Sequence, residues 1–386
     1  MGKTIAEHVQ PPYEMVEKRP DLRRIAKDLH TGRIIGVDLE ADSMFHYQEK
    51  VCLVQMASND RTFLIDPLAL KDLSPLVPVF ADPGVRKVFH GADYDIRSLY
   101  RDFGIEVRSL FDTQIAARFL GLRKTSLASL LKDLSGLVIE KKYQKKDWSQ
   151  RPLPPAMCAY AARDACHLVE LSKVFEEKLR VKGLLFCVEE ECEVLSKVRP
   201  APMEETPFFL RFKGAGNLDS QSLAVLEALL KFRNELARKQ DRPPFKILGN
   251  IPIMEMAQKK PVSVRELESV GRLSARQIKS LAGPILQRIS QALRLPEEAL
   301  PSYPHKPRSA YDPKVASRIR ALREWRVKRS KGLNIDSALT LTNAQIRSLA
   351  DAPPQKPGDL QGMGGLRNWQ KRLFGNEICE LLDTVG

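Results

Sequence analysis

The chain has 386 residues, 43% of them apolar and 28% charged, with a formal charge of +14. This is the mixture of a globular protein, and the length calls for more than one core, which excludes disordered and fibrous classes. No run reaches the roughly 18 to 20 uninterrupted apolar residues needed to cross a bilayer, and Met1-Gly2-Lys3-Thr4 lacks the apolar stretch of a secretory leader.

Six cysteines without a C-x-x-C pair argue against zinc and against a disulfide framework. A cytoplasmic protein with reduced thiols, no membrane partner and a monomeric state is expected. Gly2-Lys3-Thr4 echoes a phosphate loop, but no strand or upstream glycine precedes it, so no nucleotide cofactor is expected. Lys+Arg against Asp+Glu stands at 31 to 29 over residues 1–200, leaving 62−31 = 31 to 48−29 = 19 for the remainder. A near-neutral front and a basic rear suggest that chemistry and the holding of a polyanion are divided between domains.

In chain order, strands are predicted at Arg33–Leu39, Val51–Met56, Thr62–Ile65 and Arg86–His90, with helices near Asp21–Leu29 and Tyr94–Phe103. Ile34-Ile35-Gly36-Val37 is apolar on both faces, as a covered central strand must be. Helices follow at Leu127–Leu134, as one long stretch over about Pro155–Lys182, and at about Leu184–Val198. The Pro- and Gly-bearing stretch after Arg199 then has linker composition. Two all-helical segments come next, separated by the proline-rich Pro301–Pro307, and they share a loose plan that suggests duplication. The expected division is 1–200, 214–295 and 309–386.

Asp38-Leu39-Glu40 ends the first predicted strand. Alternation sets its two carboxylates on one face about 6.6 Å apart, a spacing suited to a shared cation. Chance alone supplies about six such acid pairs among the 48 acids, so the pair needs company. Phe89-His90-Gly91-Ala92-Asp93-Tyr94-Asp95 provides it, as a strand end, a Gly turn and an acidic helix start. Asp95 is assigned the ligand role and Asp93 the helix cap, while His90 is expected to be a hydrogen-bonded structural histidine. Tyr160 and Asp164, four residues apart, share a helix face. Converging carboxylates without a cation would repel one another, so the set implies hard divalent ions, Mg²⁺ or Mn²⁺.

The set Asp38-x-Glu40, Asp95 and Tyr160-x-x-x-Asp164 resembles the three motifs of the DEDD exonuclease superfamily in its tyrosine-containing branch. Asp147-Trp148-Ser149-Gln150-Arg151-Pro152-Leu153 resembles the D-W-x-x-R-P-L signature of the ribonuclease D family and its eukaryotic exosome relatives. The rear segments are similar to HRDC domains, the first through Leu223, Leu226, Phe232, Arg233, Leu236, Ala237, Pro243-Pro244 and Ile247-Leu248. The resemblance implies a ribonuclease-H-like mixed α/β sheet domain followed by two small all-α HRDC-type domains. It also implies two-metal removal of nucleotides from RNA 3′ ends, with transfer RNA precursors as the leading substrate.

Asp38, Glu40, Asp95 and Asp164 would hold the two ions. Tyr160 is too weakly acidic to act as a base and would orient a water. Lys145, Lys146, Trp148, Arg151, Arg323, Arg326, Lys328 and Arg329 are candidates for RNA contact, Trp148 being equally a core residue. The rivals are a DNA 3′→5′ exonuclease of the same superfamily and a non-catalytic RNA-binding adaptor.

Overall fold

The computed structural model describes residues 12–58, 61–138, 142–201, 206–304, 312–363 and 365–385, so Gly2-Lys3-Thr4 lies outside the described residues. The chain divides into two compact units, one of 1–41, 51–200 and 310–386, the other of 42–50 and 201–309. Among the described residues no helix is long and apolar enough to cross a membrane.

The first unit is built on a six-stranded sheet: β1 (Tyr13–Val16), β2 (Ile34–Ala41), β3 (Val51–Ser58), β4 (Arg61–Ile65), β5 (Arg86–Phe89) and β6 (Leu110–Asp112), in the order β1-β4-β3-β2-β5-β6. β2 runs antiparallel to β3 and parallel to β5, so the sheet is mixed. The apolar run of β2 does sit at the centre, with Ile35, Gly36 and Val37 buried. β1 and β6 escape sequence reading because four and three residues are too few to show a period.

Helices cover both faces. They are α1 (Arg19–Thr31), α2 (Asp93–Phe103), α3 (Thr113–Phe119), α4 (Leu127–Ser135), α5 (Pro155–Cys166), α6 (Leu168–Lys182) and α7 (Leu185–Ser196). In α1, Leu22, Ile25, Ala26 and Leu29 are buried, the i, i+3, i+4, i+7 spacing of one helix stripe. The stretch expected to be one helix over Pro155–Lys182 is two, broken at His167. No Gly or Pro marks that break in the sequence.

Three longer helices near the end of the chain also belong to this unit: α12 (Pro313–Leu333), α13 (Asn343–Asp351) and α14 (Asn368–Val385). Their apolar residues join the core of the sheet body, where Phe119 meets Trp369 edge-on at 5.2 Å. Polar contacts surround that seam. Glu190 accepts from the backbone N–H groups of Asn368 (2.6 Å) and Trp369 (2.8 Å), and Glu191 accepts from the Trp369 indole at 2.8 Å. Acids at the start of α14 also suit the positive end of its dipole. Lys182 donates to the carbonyls of Phe119 and Asn334, each at 2.8 Å, and Arg118 pairs with Asp336 at 2.9 Å.

The second unit holds α8 (Ser220–Lys239), α9 (Asn250–Lys259), α10 (Val264–Val270) and α11 (Ala275–Leu293) around a core of its own. One bonding pattern recurs in both helical segments. Arg233 donates to Leu248 O at 3.2 Å and Asn250 Oδ1 at 2.7 Å, and Arg326 donates to Leu341 O and Asn343 Oδ1, both at 3.0 Å. The sequence separations, 15 and 17, are the same in both, as duplication of one scaffold requires.

Candidate active site

Backbone register decides which face of the sheet carries chemistry. Gly36, Asp38 and Glu40 alternate onto the face covered by α5, while Val37 and Leu39 point into the main core. Gly36 is required there: a Cβ would stand 2.5 Å from the Ala165 carbonyl oxygen and 3.1 Å from Leu168 Cβ. Without a side chain at 36, α5 settles on β2 and brings Asp164 over Asp38.

Oxygens of Asp38, Glu40 and Asp164 all lie within 4.8 Å of one another. Asp95, buried at the start of α2, is close enough to raise the pKa of both Asp38 and Glu40. Its helix is aimed by Asp112, a buried acid that sequence reading passes over. Asp112 accepts from the N–H groups of Gly91 (3.1 Å) and Ala92 (2.7 Å) and, as N-cap of α3, from those of Gln114 (2.7 Å) and Ile115 (3.1 Å). The signal available in sequence is a strand-end Asp before Thr-Gln, a plain N-cap pattern.

Electrostatics follow from burial. Desolvation, then Asp164 and Asp95, pushes Asp38 well above the usual carboxylate range. Desolvation, then Asp38, does the same to Glu40. Burial pushes Asp95 and Asp164 each up to about 7, with Asp112 adding to the first. Tyr160, only 8% exposed, donates to Asp164; burial and the adjoining carboxylates hold its phenol well above its ordinary pKa, so it stays neutral. Among the described residues no Lys or Arg forms a salt bridge with any of the four acids, whereas Asp93 pairs with Arg97 at 2.9 Å.

Asp93 is therefore not the helix cap expected of it. Ala92 occupies that position without a side-chain bond, and Asp93 is the first helical residue. His90 behaves as anticipated, with Nδ1 2.9 Å from Thr113 Oγ1 and burial lowering its pKa. Polar groups near the site are left unmatched: Gln55, Ser98 and Trp148 have buried donors without partners. An all-oxygen donor set, mutually close, largely desolvated and in no salt bridge with a Lys or Arg among the described residues, fits a hard divalent ion.

Several residues chosen for RNA contact are spent inside the protein. Trp148, 1% exposed, is core, its ring 6.2 Å from that of Tyr160. Arg151 forks onto Asp66 (2.6 and 2.8 Å) and also donates to the carbonyls of Trp148, Gln150 and Cys52, which engages every nitrogen of the guanidinium. Arg326 ties α12 to the start of α13 as described, and Arg329 pairs with Glu377 at 3.1 Å. Lys145, Lys146, Arg323 and Lys328 remain exposed.

A mixed sheet with a carboxylate cluster under one helix, followed by two helical segments of one plan, is a nuclease architecture. Residues 13–180 match the model of the 3′-5′ exonuclease family, and 222–289 and 316–382 each match the HRDC domain. The chain belongs to this 3′-5′ exonuclease family, in a form that carries two HRDC domains.

Among particular relatives, it is 32% identical over 271 residues to "Protein RRP6-like 1" of Arabidopsis thaliana, covering 67% of this chain but 42% of that protein. The chain thus spans less than half the length of that relative. The structure of the RRP6 catalytic core from Trypanosoma brucei is 30% identical with a TM-score of 0.65, covering 75% of this chain and 81% of that one. The structure of Escherichia coli RNase D, described as an exoribonuclease involved in structured RNA processing, is 26% identical with a TM-score of 0.71. It covers 97% of this chain and 99% of that one.

Proposed function

We propose that the protein is a ribonuclease D-type 3′→5′ exoribonuclease that releases nucleoside monophosphates from RNA 3′ ends, with transfer RNA precursors as its substrates. The observation that carries this reading is the gathering of Asp38, Glu40 and Asp164 oxygens within 4.8 Å, with no basic side chain in a salt bridge to them among the described residues. Asp38, Glu40, Asp95 and Asp164 would hold two divalent cations. When bound, two such ions supply charge stabilisation at the attacking and leaving oxygens of a phosphodiester and lower the pKa of a water.

The protein's own groups do the rest. Tyr160 keeps its proton, gives it in a hydrogen bond to Asp164, and so offers the hydroxyl oxygen lone pairs to orient the attacking water. Tyr143, 5.7 Å from Tyr160 ring to ring, and Trp148 wall the phenol so that it cannot swing away. Lys145, Lys146, Arg323 and Lys328 are the assigned phosphate contacts, being exposed cations with their charge still open to solvent.

The test incubates purified protein with matched 3′-extended RNA and DNA oligonucleotides and Mg²⁺ or Mn²⁺. Shortening of RNA by single nucleotides, abolished by EDTA and by Asp38→Asn, is the expected result. Equal or faster trimming of DNA would move the reading to a DNA exonuclease, and RNA binding without trimming would leave an adaptor.

A further inference from the structure

Gln55 on β3 is the register partner of Asp38 on β2. Paired residues in antiparallel strands project from the same face with Cβ atoms about 5 Å apart, so the side chains of Gln55 and Asp38 leave the sheet side by side and the amide can reach the carboxylate. Two of its sheet neighbours on that face are apolar: Leu53 lies two residues before it, and Leu64 is its partner on β4. Gln55 is fully buried, and neither its Oε1 nor its Nε2 has a hydrogen-bond partner.

A buried amide without partners is a cost, about 1 to 3 kcal/mol for each unmatched group, that leucine or methionine of similar size would not incur. Packing therefore gives no reason for glutamine at this position, and an unmatched native polar group calls for a functional one. The neighbouring chemistry supplies it. Carboxylates that ligate a metal are themselves held by hydrogen bonds from surrounding groups.

We propose that Gln55 is a positioning residue for Asp38: its amide N–H, unmatched in this structure, would turn to the carboxylate when a cation is held and fix that group in its ligating orientation. This rests on reading the cluster as a metal site. A neutral donor suits the position. Lysine or arginine would neutralise Asp38 and compete with the cation, and an acid would add to the repulsion already present among four carboxylates. The amide orients the ligand and leaves the charge of the site untouched.

The test uses the full chain as wild type and as Gln55→Leu, with Gln55→Met in its place should the first not fold. Two quantities are read: the melting temperature of the metal-free protein, and Mn²⁺ affinity by calorimetry. The expected result is a melting temperature equal to or above that of wild type, with Mn²⁺ affinity lowered by about 10- to 100-fold. Nuclease activity should return as Mn²⁺ is raised. Affinity within twofold of wild type would overturn the proposal and leave Gln55 as filler. Affinity and metal-free stability falling together would also overturn it, since that is the signature of a packing role. Wild-type protein that takes up no Mn²⁺ would overturn the reading of the cluster itself, an outcome distinct from the other two.

Discussion

Two regions of the first unit concentrate charge of one sign, and they use it oppositely. The acidic cluster gathers four carboxylates from β2, α2 and α5, none of them in a salt bridge with a Lys or Arg among the described residues. Helix α12 carries eight basic residues and one acid within 21 residues, yet Arg326 and Arg329 are bonded within the protein. Density of charge along a sequence therefore says little about which charge is on offer to a ligand. What separates the two regions is partnering. The acids are brought together by the fold and left unmatched, whereas much of the basic run holds the helices in place.

The comparison breaks most severely at Asp38. Asp38→Asn should cut exonuclease activity by about a thousandfold, equivalent to about 4 kcal/mol of transition-state stabilisation, with the fold intact by circular dichroism. Activity within tenfold of wild type would show that the cluster is not the reacting centre. Gly36→Ala comes next. A Cβ 2.5 Å from the Ala165 carbonyl forces α5 away from β2, so a stability loss of about 1 to 3 kcal/mol is expected from denaturant unfolding. Activity should fall with it, because Asp164 moves with the helix.

Metal and pH sharpen the contrast further. In the metal-free protein Asp95 and Asp164 titrate near 7, against about 4 in an unfolded chain. Between those values the folded state binds protons that the unfolded state has released, so stability falls as pH rises through that window. EDTA-treated protein should thus melt several degrees lower at pH 8 than at pH 5.5, and Mn²⁺ should raise the melting temperature more at pH 8. An equal rise at both values would contradict the assigned burial.

The smallest effects lie on α12. Arg326→Ala should cost about 1 to 2 kcal/mol of stability through two missing hydrogen bonds. The double change Arg323→Gln with Lys328→Gln should leave stability within about 0.5 kcal/mol. The double variant should instead weaken RNA binding and lower its salt slope by roughly 0.7 for each phosphate of a single strand that is no longer neutralised. Equal behaviour of the two variants in both assays would erase the distinction between bonded and free cations.

The acid set is legible in the sequence because strand alternation and the i, i+4 helix rule are short-range geometry. They need only a correct period, and Asp38, Glu40, Tyr160 and Asp164 each sit in an element long enough to show one. Asp95 is marked by its place after a Gly turn. Residues that act through distant contacts are not legible. Trp148 and Arg151 belong to a segment that reads equally well as ligand or as core, and only the position of Asp66, 85 residues earlier, settles the arginine. Arg326 misleads for the same reason, since its acceptors are 15 and 17 residues away. Asp112 and Gln55 go unnoticed because one acid or one amide in a strand carries no pattern until its cross-chain neighbours are known.

The seam between Phe119 and Trp369 joins residues 250 positions apart in the chain, and the whole of 201–309 intervenes while belonging to the other unit. During synthesis, at about 5 to 20 residues per second, the apolar face around Phe119 stays uncovered for at least the ten or more seconds needed to make the intervening chain. Glu190 and Glu191 wait a shorter time, over 179 and 178 residues, for the backbone and indole groups of Trp369 that they accept from. The nascent sheet body is thus an incomplete core exposed on one side, dependent on chaperone cover or on its own solubility until α14 has emerged.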